Sequence, residues 1–146
     1  MIRNVKISDY KDIAGFCKND LGYDADEMLV KSRIENLDSN REAVFVAVVD
    51  EKTVGFVHCE IYNTLYFETL VNIQGLAVSS EYRRMGFGRE LVNSAEEWAK
   101  QKGINKIRLN SGLNRKDAHT FYRNLGYGDE KQQIRFMKDI KNSDSF

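Results

Sequence analysis

Apolar residues recur along this chain at two spacings, about two and about 3.6, and the places where one gives way to the other outline its elements. Ile2, Val5 and Ile7 predict a first strand over 2–7. Ser8 or Asp9 can cap the helix that follows, where Tyr10, Ile13, Ala14 and Cys17 share a face with Phe16 beside them. Gly22 breaks that helix. Asp24 with Glu27 three residues on has the form of a capping box, and Met28, Leu29, Ile34 and Leu37 give a second helix or helical turn its buried side. After a loop at Asp38-Ser39-Asn40, the stretch AVFVAVV at 43–49 is continuously apolar, as expected of a strand covered on both faces. The polar turn Asp50-Glu51-Lys52 then leads to TVGFVHCEIY at 53–62, which predicts an antiparallel hairpin. The stretch 63–69 is a connector.

The pattern is clearest over 71–97, VNIQGLAVSSEYRRMGFGRELVNSAEE. Strand formers pass through a polar turn to Arg83-Arg84-Met85-Gly86-Phe87-Gly88, and a helix follows. Phe87, Leu91, Ala95 and Trp98 form its stripe, flanked by Val92 and Ala99, and Gly103 caps its end. Ile104, Ile107 and Leu109 mark a strand at 104–110, long enough after the helix to be a parallel crossover from the strand at 71–78. Ser111-Gly112-Leu113-Asn114 turns into a helix capped by Asn114, with Asp117 at the third position, that ends at Leu125-Gly126-Tyr127. A last strand is predicted at 133–140, and the tail, about 141–146, is expected to fray. The fold class is α+β: a mixed, largely antiparallel central sheet flanked by helices on both faces.

Composition narrows the purpose. The chain of 146 residues, 42% hydrophobic and 30% charged, fits a single globular domain spanning 1–146. Basic and acidic residues number 22 each, and the zero formal charge argues against nucleic-acid binding as a main purpose. The opening MIRNVKISDY is too polar for a signal peptide or a membrane span. With Cys17 and Cys59 far apart and no metal-like spacing, a cytoplasmic protein with free thiols, no membrane and no metal is expected. There is no proline, so turns rest on Gly, Asn, Asp and Ser.

The Arg/Gly loop carries the chemistry. A helix start holds backbone N–H groups without intrahelical partners and a partial positive charge. Glycine lets the backbone approach an anion, and arginine adds charge and forked donors. Together these make a phosphate site, best matched by a pyrophosphate. It is not a P-loop, since the G-x-x-x-x-G-K-[ST] lysine and hydroxyl are missing. It is not a G-x-G-x-x-G dinucleotide fingerprint either, because Leu91 stands at the third glycine. That disfavours a nucleotide-phosphate binder of another fold.

What the loop does match is [RQ]-x-x-G-x-[GA], as Arg83-x-x-Gly86-x-Gly88 after Leu76-Ala77-Val78. This resembles the coenzyme A signature of the GNAT superfamily of acyl-CoA-dependent N-acetyltransferases. The segment LNSGLNRKDAHTFYRNLGY at 109–127 resembles the family's second block, and Tyr122 falls roughly 12 Å along the helix axis from Asn114. The proline that often sits near Ser80 in the family is absent here, which changes nothing chemical. The resemblance implies acetyl-CoA as cosubstrate. It assigns cofactor contacts to Leu76, Ala77, Val78, Arg83, Arg84, Met85, Gly86, Phe87, Gly88, Arg89, Asn114 and Phe121, and makes Tyr122 the acid that protonates the departing thiolate. The acceptor it implies is a primary amine of a small molecule, as in the aminoalkylphosphonate N-acetyltransferases whose SG-x-x-R-x-x-AH-x-FY…GY wording is similar. A protein or peptide amine, or a non-catalytic acyl-CoA sensor of the same fold, are the alternatives, and a homodimer is left open. For the general base, Glu60, Glu68 and a water-mediated route stay open, with Glu27 behind them; Gln74 cannot serve. His119, between Arg115 and Arg123, reads as solvated or structural, and His58 as a buried, hydrogen-bonded strand residue.

Overall fold

The apolar run at 43–49 is continuous because both of its sides are covered. In the computed structural model, which describes residues 1–141, it lies in strand β2 (Glu42–Val49). Ala43, Phe45, Ala47 and Val49 join one core cluster, while Val44, Val46 and Val48 join another on the opposite face. The frayed tail expected at about 141–146 lies, from 142 onward, outside the described residues.

The chain divides into two compact units, Met1–Asn110 and the stretch from Ser111 onward. The first holds a five-stranded sheet in the order β1-β2-β3-β4-β5, with β1 at Ile2–Asn4, β3 at Lys52–Tyr62, β4 at Leu70–Val78 and β5 at Ile107–Leu109. Neighbours are antiparallel except β4 and β5, which run parallel as the crossover predicts. Helix α3 (Phe87–Gln101) buries Leu91, Val92, Ala95, Trp98 and Ala99 against one face, the stripe read from the sequence. Burying a side chain such as Leu91 or Val92 contributes about 1.5–3 kcal/mol, and the alanine methyls less. Helix α1 (Tyr10–Asn19) covers the other face through Ile13 and Phe16, whose ring stacks on Phe56 at 6.5 Å. The hairpin turn at Asp50 and Glu51 uses positive φ at both (47° and 67°), the sense that matches the twist of its strands.

Several boundaries differ from the sequence reading, each for a local reason. β1 stops at Asn4 instead of Ile7, because the Asp9 carboxylate accepts the Lys6 N–H at 2.7 Å and turns the chain. Helix α2 (Glu27–Glu35) is capped by Asp26, which accepts the Met28 N–H at 2.9 Å, and not by Asp24. Met28 and Leu29 are exposed; the helix packs through Val30 and Ile34, with Leu37 beyond its end. β5 is shorter than 104–110 because Ile104 bonds back to Ala99 and closes the end of α3. In the second unit, α4 (Lys116–Asn124) begins after Asn114, whose side chain caps nothing among the described residues. No strand forms at 133–140: Ile134, Phe136 and Ile140 fall in phase as on a strand, but a strand needs a partner's ladder to persist, and these residues and Met137 stand exposed. No helix among the described residues is long and apolar enough to cross a membrane.

One polar network is buried with the core. Asp9, 3% exposed, takes both Arg3 guanidinium nitrogens at 2.9 and 3.0 Å and the Thr53 hydroxyl at 2.9 Å. Burial alone would push its carboxyl up; the bonds from Arg3, Lys6 and Thr53 outweigh that and hold it below the usual range. Its stabilisation is therefore present above the unfolded carboxyl's value, about 3.9, and is lost as pH falls through the lower folded value. Replacing Asp9→Asn should reduce unfolding free energy at pH 7 by about 2–3 kcal/mol. Urea titrations should show the gap between the two proteins shrinking as pH is lowered past 3. An equal gap at every pH would mean the loss comes from packing.

Candidate functional site

Strand β4 keeps one neighbour along its length and loses the other. It pairs with β3 from Leu70 to Val78, but with β5 only at Val71, Asn72 and Ile73. The register with β3 also slips: His58 faces Gly75 while Cys59 faces Ile73, so Gln74 is an extra, bulged residue on β4. Past the bulge, Leu76, Ala77 and Val78 still bond to β3, and Gly55 lets the strands close there, since a Cβ on it would stand 2.7 Å from the Ala77 carbonyl oxygen. On the other edge, no strand among the described residues meets them. Apart from the Val78 carbonyl, which Arg83 Nε reaches at 3.4 Å, backbone groups on that edge can bond an extended ligand lying alongside, as an added strand would.

That edge runs straight into the Arg/Gly loop. Arg84 and Gly86 both have positive φ, 64° and 88°. Gly86 is the N-cap of α3, makes no side-chain cap bond, and gives its carbonyl to the Glu90 N–H at 3.0 Å. Nothing lies within 4 Å of where its Cβ would be, so glycine is needed there for the backbone angle and not for space. The N–H groups from Arg84 to Arg89 meet no acceptor among the described residues. Arg83 is otherwise engaged: its guanidinium donates to Asp20 at 2.8 Å and reaches the Val78 carbonyl at 3.4 Å, tying the loop to the end of α1. Arg84 and Arg89 make no ion pair among the described residues, and Met85 is exposed. Phe87 packs edge-on against Tyr82 at 6.4 Å and so anchors the helix start. Open amides, a helix N-terminus and two guanidinium groups without ion pairs are features that favour an anion.

The sheet face toward α1 and α2 turns polar near the bulge. His58 Nε2 lies 2.9 Å from Glu42 Oε1, the pair about a quarter to a third exposed. Glu60, two residues along β3, makes no hydrogen bond or ion pair among the described residues and is half-buried. Arg108 on β5 donates to Asn72 at 3.0 Å and lies over the Tyr62 ring at 4.4 Å. Of the carboxylates read as base candidates, Glu60 lies on this face, Glu68 is in the exposed connector, and Glu27 opens α2. Glu42 was missed. Its signal was available: His58, Glu60 and Tyr62 alternate along a strand whose other face is apolar, which marks a polar face that needs partners on β2.

The second unit holds the other predicted residues. Tyr122 packs edge-on against Phe121 at 5.3 Å and Tyr127 at 6.2 Å. Burial pushes its phenol up, partly offset by the Arg115 charge, so it keeps its proton through the neutral range. Asn114 is exposed, with a side chain that makes no hydrogen bond among the described residues. His119 Nε2 lies 2.9 Å from the Gly112 carbonyl, a local structural bond. No group of three or more metal-ligating side chains gathers among the described residues.

The chain is similar to known proteins in sequence and in fold. Residues 8–127 match the family model described as Acetyltransferase (GNAT) family. An uncharacterized N-acetyltransferase of Chlorobaculum tepidum is 29% identical over 135 residues, 90% of this chain and 77% of that protein. Another, from Methanocaldococcus jannaschii, is 32% identical over 98 residues; the match takes in 66% of this chain and 43% of that protein, so the chain spans less than half of it. Among solved structures, an aminoglycoside antibiotic 6′-N-acetyltransferase from Acinetobacter haemolyticus shares the fold with a TM-score of 0.77 at 20% identity, over 97% of this chain and 99% of that one.

Proposed function

The chain belongs to the GNAT family of acetyltransferases, and from that premise we propose that it moves an acetyl group from acetyl-CoA to the primary amine of a small molecule, by direct attack. The observation that carries this reading is the unbroken run of open N–H groups from Arg84 to Arg89 at the head of α3. It suits the diphosphate of coenzyme A: six adjacent amides, a helix dipole and the guanidinium groups of Arg84 and Arg89 meet a doubly charged ligand. The parted edge of β4 at Leu76, Ala77 and Val78 suits the amide-bearing arm that leads from the diphosphate to the thioester. A small-molecule acceptor is favoured by likeness to the Acinetobacter haemolyticus aminoglycoside acetyltransferase in fold.

Acetyl transfer asks four things of the protein. The amine must lose a proton, since alkyl amines have pKa values of about 10. Both reactants must be held in register, which is worth several kcal/mol. The thioester oxygen needs donors as it gains charge, and open amides on β4 are such donors. The thiolate, from a thiol of pKa about 8.5, leaves more readily with a proton. The last role is assigned to Tyr122 by the family resemblance, and its buried, protonated phenol suits an acid.

Two variants test the reading. Gly86→Glu places a carboxylate and a strained side chain at the anion site, and calorimetric affinity for CoA should fall by more than about 100-fold. Gly86→Ala, which adds strain without charge, should lose far less. Unchanged CoA affinity in the glutamate variant would move the site elsewhere. Tyr122→Phe should slow CoA release about 10-fold or more, measured with a thiol reagent, with acetyl-CoA affinity intact. An unaltered rate would remove Tyr122 from the chemistry.

A further inference from the structure

We propose that His58, oriented by Glu42, takes the proton from the acceptor's ammonium group; this rests on the acetyl-transfer reading above. The pair joins β2 and β3 through a 2.9 Å bond on the face of the sheet toward α1 and α2. Half-burying two ionisable groups costs solvation that a valine or threonine pair would avoid, so the pair is poor material for stability alone. Its bonding also sets the tautomer. An ionised Glu42 carboxylate only accepts, so Nε2 carries the hydrogen and Nδ1 keeps a lone pair. No hydrogen bond to Nδ1 forms among the described residues.

Place supports chemistry. His58 faces Gly75 across the β3–β4 ladder, next to the bulge and one step from Leu76, where the open edge of β4 begins. Directly opposed residues of an antiparallel pair point to one face, and position 75 has no side chain there. A Cβ on Gly75 would meet Phe56 at 3.5 Å, which puts that open space beside the Phe56 ring. On the same strand face, Glu60 offers an unpaired carboxylate to a cation. Among the described residues, the charged and titratable groups along this strand face are Glu42 from β2, Glu60 and Tyr62 from β3 and, farther along, Arg108 from β5, bonded to Asn72. β4 presents only Asn72 and Gln74. Side chains packed on this face from α1 and α2 include Ile13, Phe16, Val30 and Ile34 and the Cys17 thiol, which burial pushes up.

The step balances. An ammonium N–H bond breaks, the proton binds His58 Nδ1, and the electron pair stays on nitrogen. That nitrogen attacks the thioester carbon; the C–N bond forms and the C–S bond breaks. Sulfur leaves with its electron pair and takes the proton of the Tyr122 phenol, and the second amine proton makes good the phenol's loss. His58 then gives its proton to water, so one proton is released for each amide made. Glu42 steadies the imidazolium that forms between these events, which makes it a positioning residue.

The test uses the full chain, acetyl-CoA and three amine probes, tyramine, spermidine and tobramycin, with CoA release followed by a thiol reagent from pH 6.5 to 10. His58→Gln should slow turnover about 100-fold or more near pH 7. The deficit should shrink toward pH 10, where about half of the amine is already neutral, while calorimetric acetyl-CoA affinity is unchanged. Glu42→Gln should give a smaller loss and shift the neutral limb of the pH profile to lower pH. A deficit of equal size at every pH, or none, overturns the assignment. In the unaltered protein, nitrogen NMR should show His58 protonated on Nε2 and bare on Nδ1 at neutral pH; the reverse tautomer also overturns it, independently of how the variants fold. If the wild type binds acetyl-CoA but releases no CoA with any probe, the acetyl-transfer reading falls and takes this base with it.

Discussion

Where β5 parts from β4, the sheet stops supplying partners to the outer edge of β4, and its N–H and C=O groups must be satisfied by something else. Much of the first unit is arranged around that loss. The Gln74 bulge begins it, Gly55 keeps β3 close enough to hold the remaining edge, and α3 starts directly beyond the open stretch with its own unpartnered amides. Two sets of unsatisfied backbone groups, one along a strand and one at a helix head, thus stand in series. Neither would survive as a defect in a packed core. Each lies at the surface, where water or a ligand can complete it.

The core makes this parting tolerable. β2 and β3 are covered on both faces, and α3 is pressed onto the sheet by fully buried Leu91, Val92 and Ala95. The loop between β4 and α3 is held at three points: Phe87 against Tyr82, Arg83 on Asp20, and Arg83 again at the Val78 carbonyl. The second of these shows a division of labour among the arginines. The one that opens the motif is a strut, and its neighbours carry the free charge.

The order of elements was readable because each rests on local pattern. The stripe from Phe87 to Trp98 and the continuous run of β2 dictate their own packing, and the crossover to β5 follows from connection length. What failed were a strand without a partner and the choice among neighbouring caps. The strand expected at 133–140 had the right alternation at Ile134, Phe136 and Ile140 but no ladder to join. Asp24 looked like a cap because a glutamate stands three residues on, yet Asp26 holds the helix. Asn114 looked like one too, and the helix starts later. The turn with an open helix head at the Arg/Gly loop was legible from glycine and arginine spacing, whereas the partnership of His58 with Glu42 was not. It joins residues sixteen positions apart, and only the register of β2 on β3 brings them together.

Arg84 holds a left-handed backbone that a glycine would adopt freely and that costs an ordinary residue about 1–2 kcal/mol. Branched side chains such as valine or isoleucine are effectively shut out of that position, and an acidic one would oppose the anion the loop is shaped for. The tolerated alphabet at 84 therefore shrinks to glycine, asparagine and the long cations, of which only the cations also add charge. Drift among descendants of this sequence is channelled there by geometry and electrostatics at once, far more narrowly than at exposed Met85 beside it.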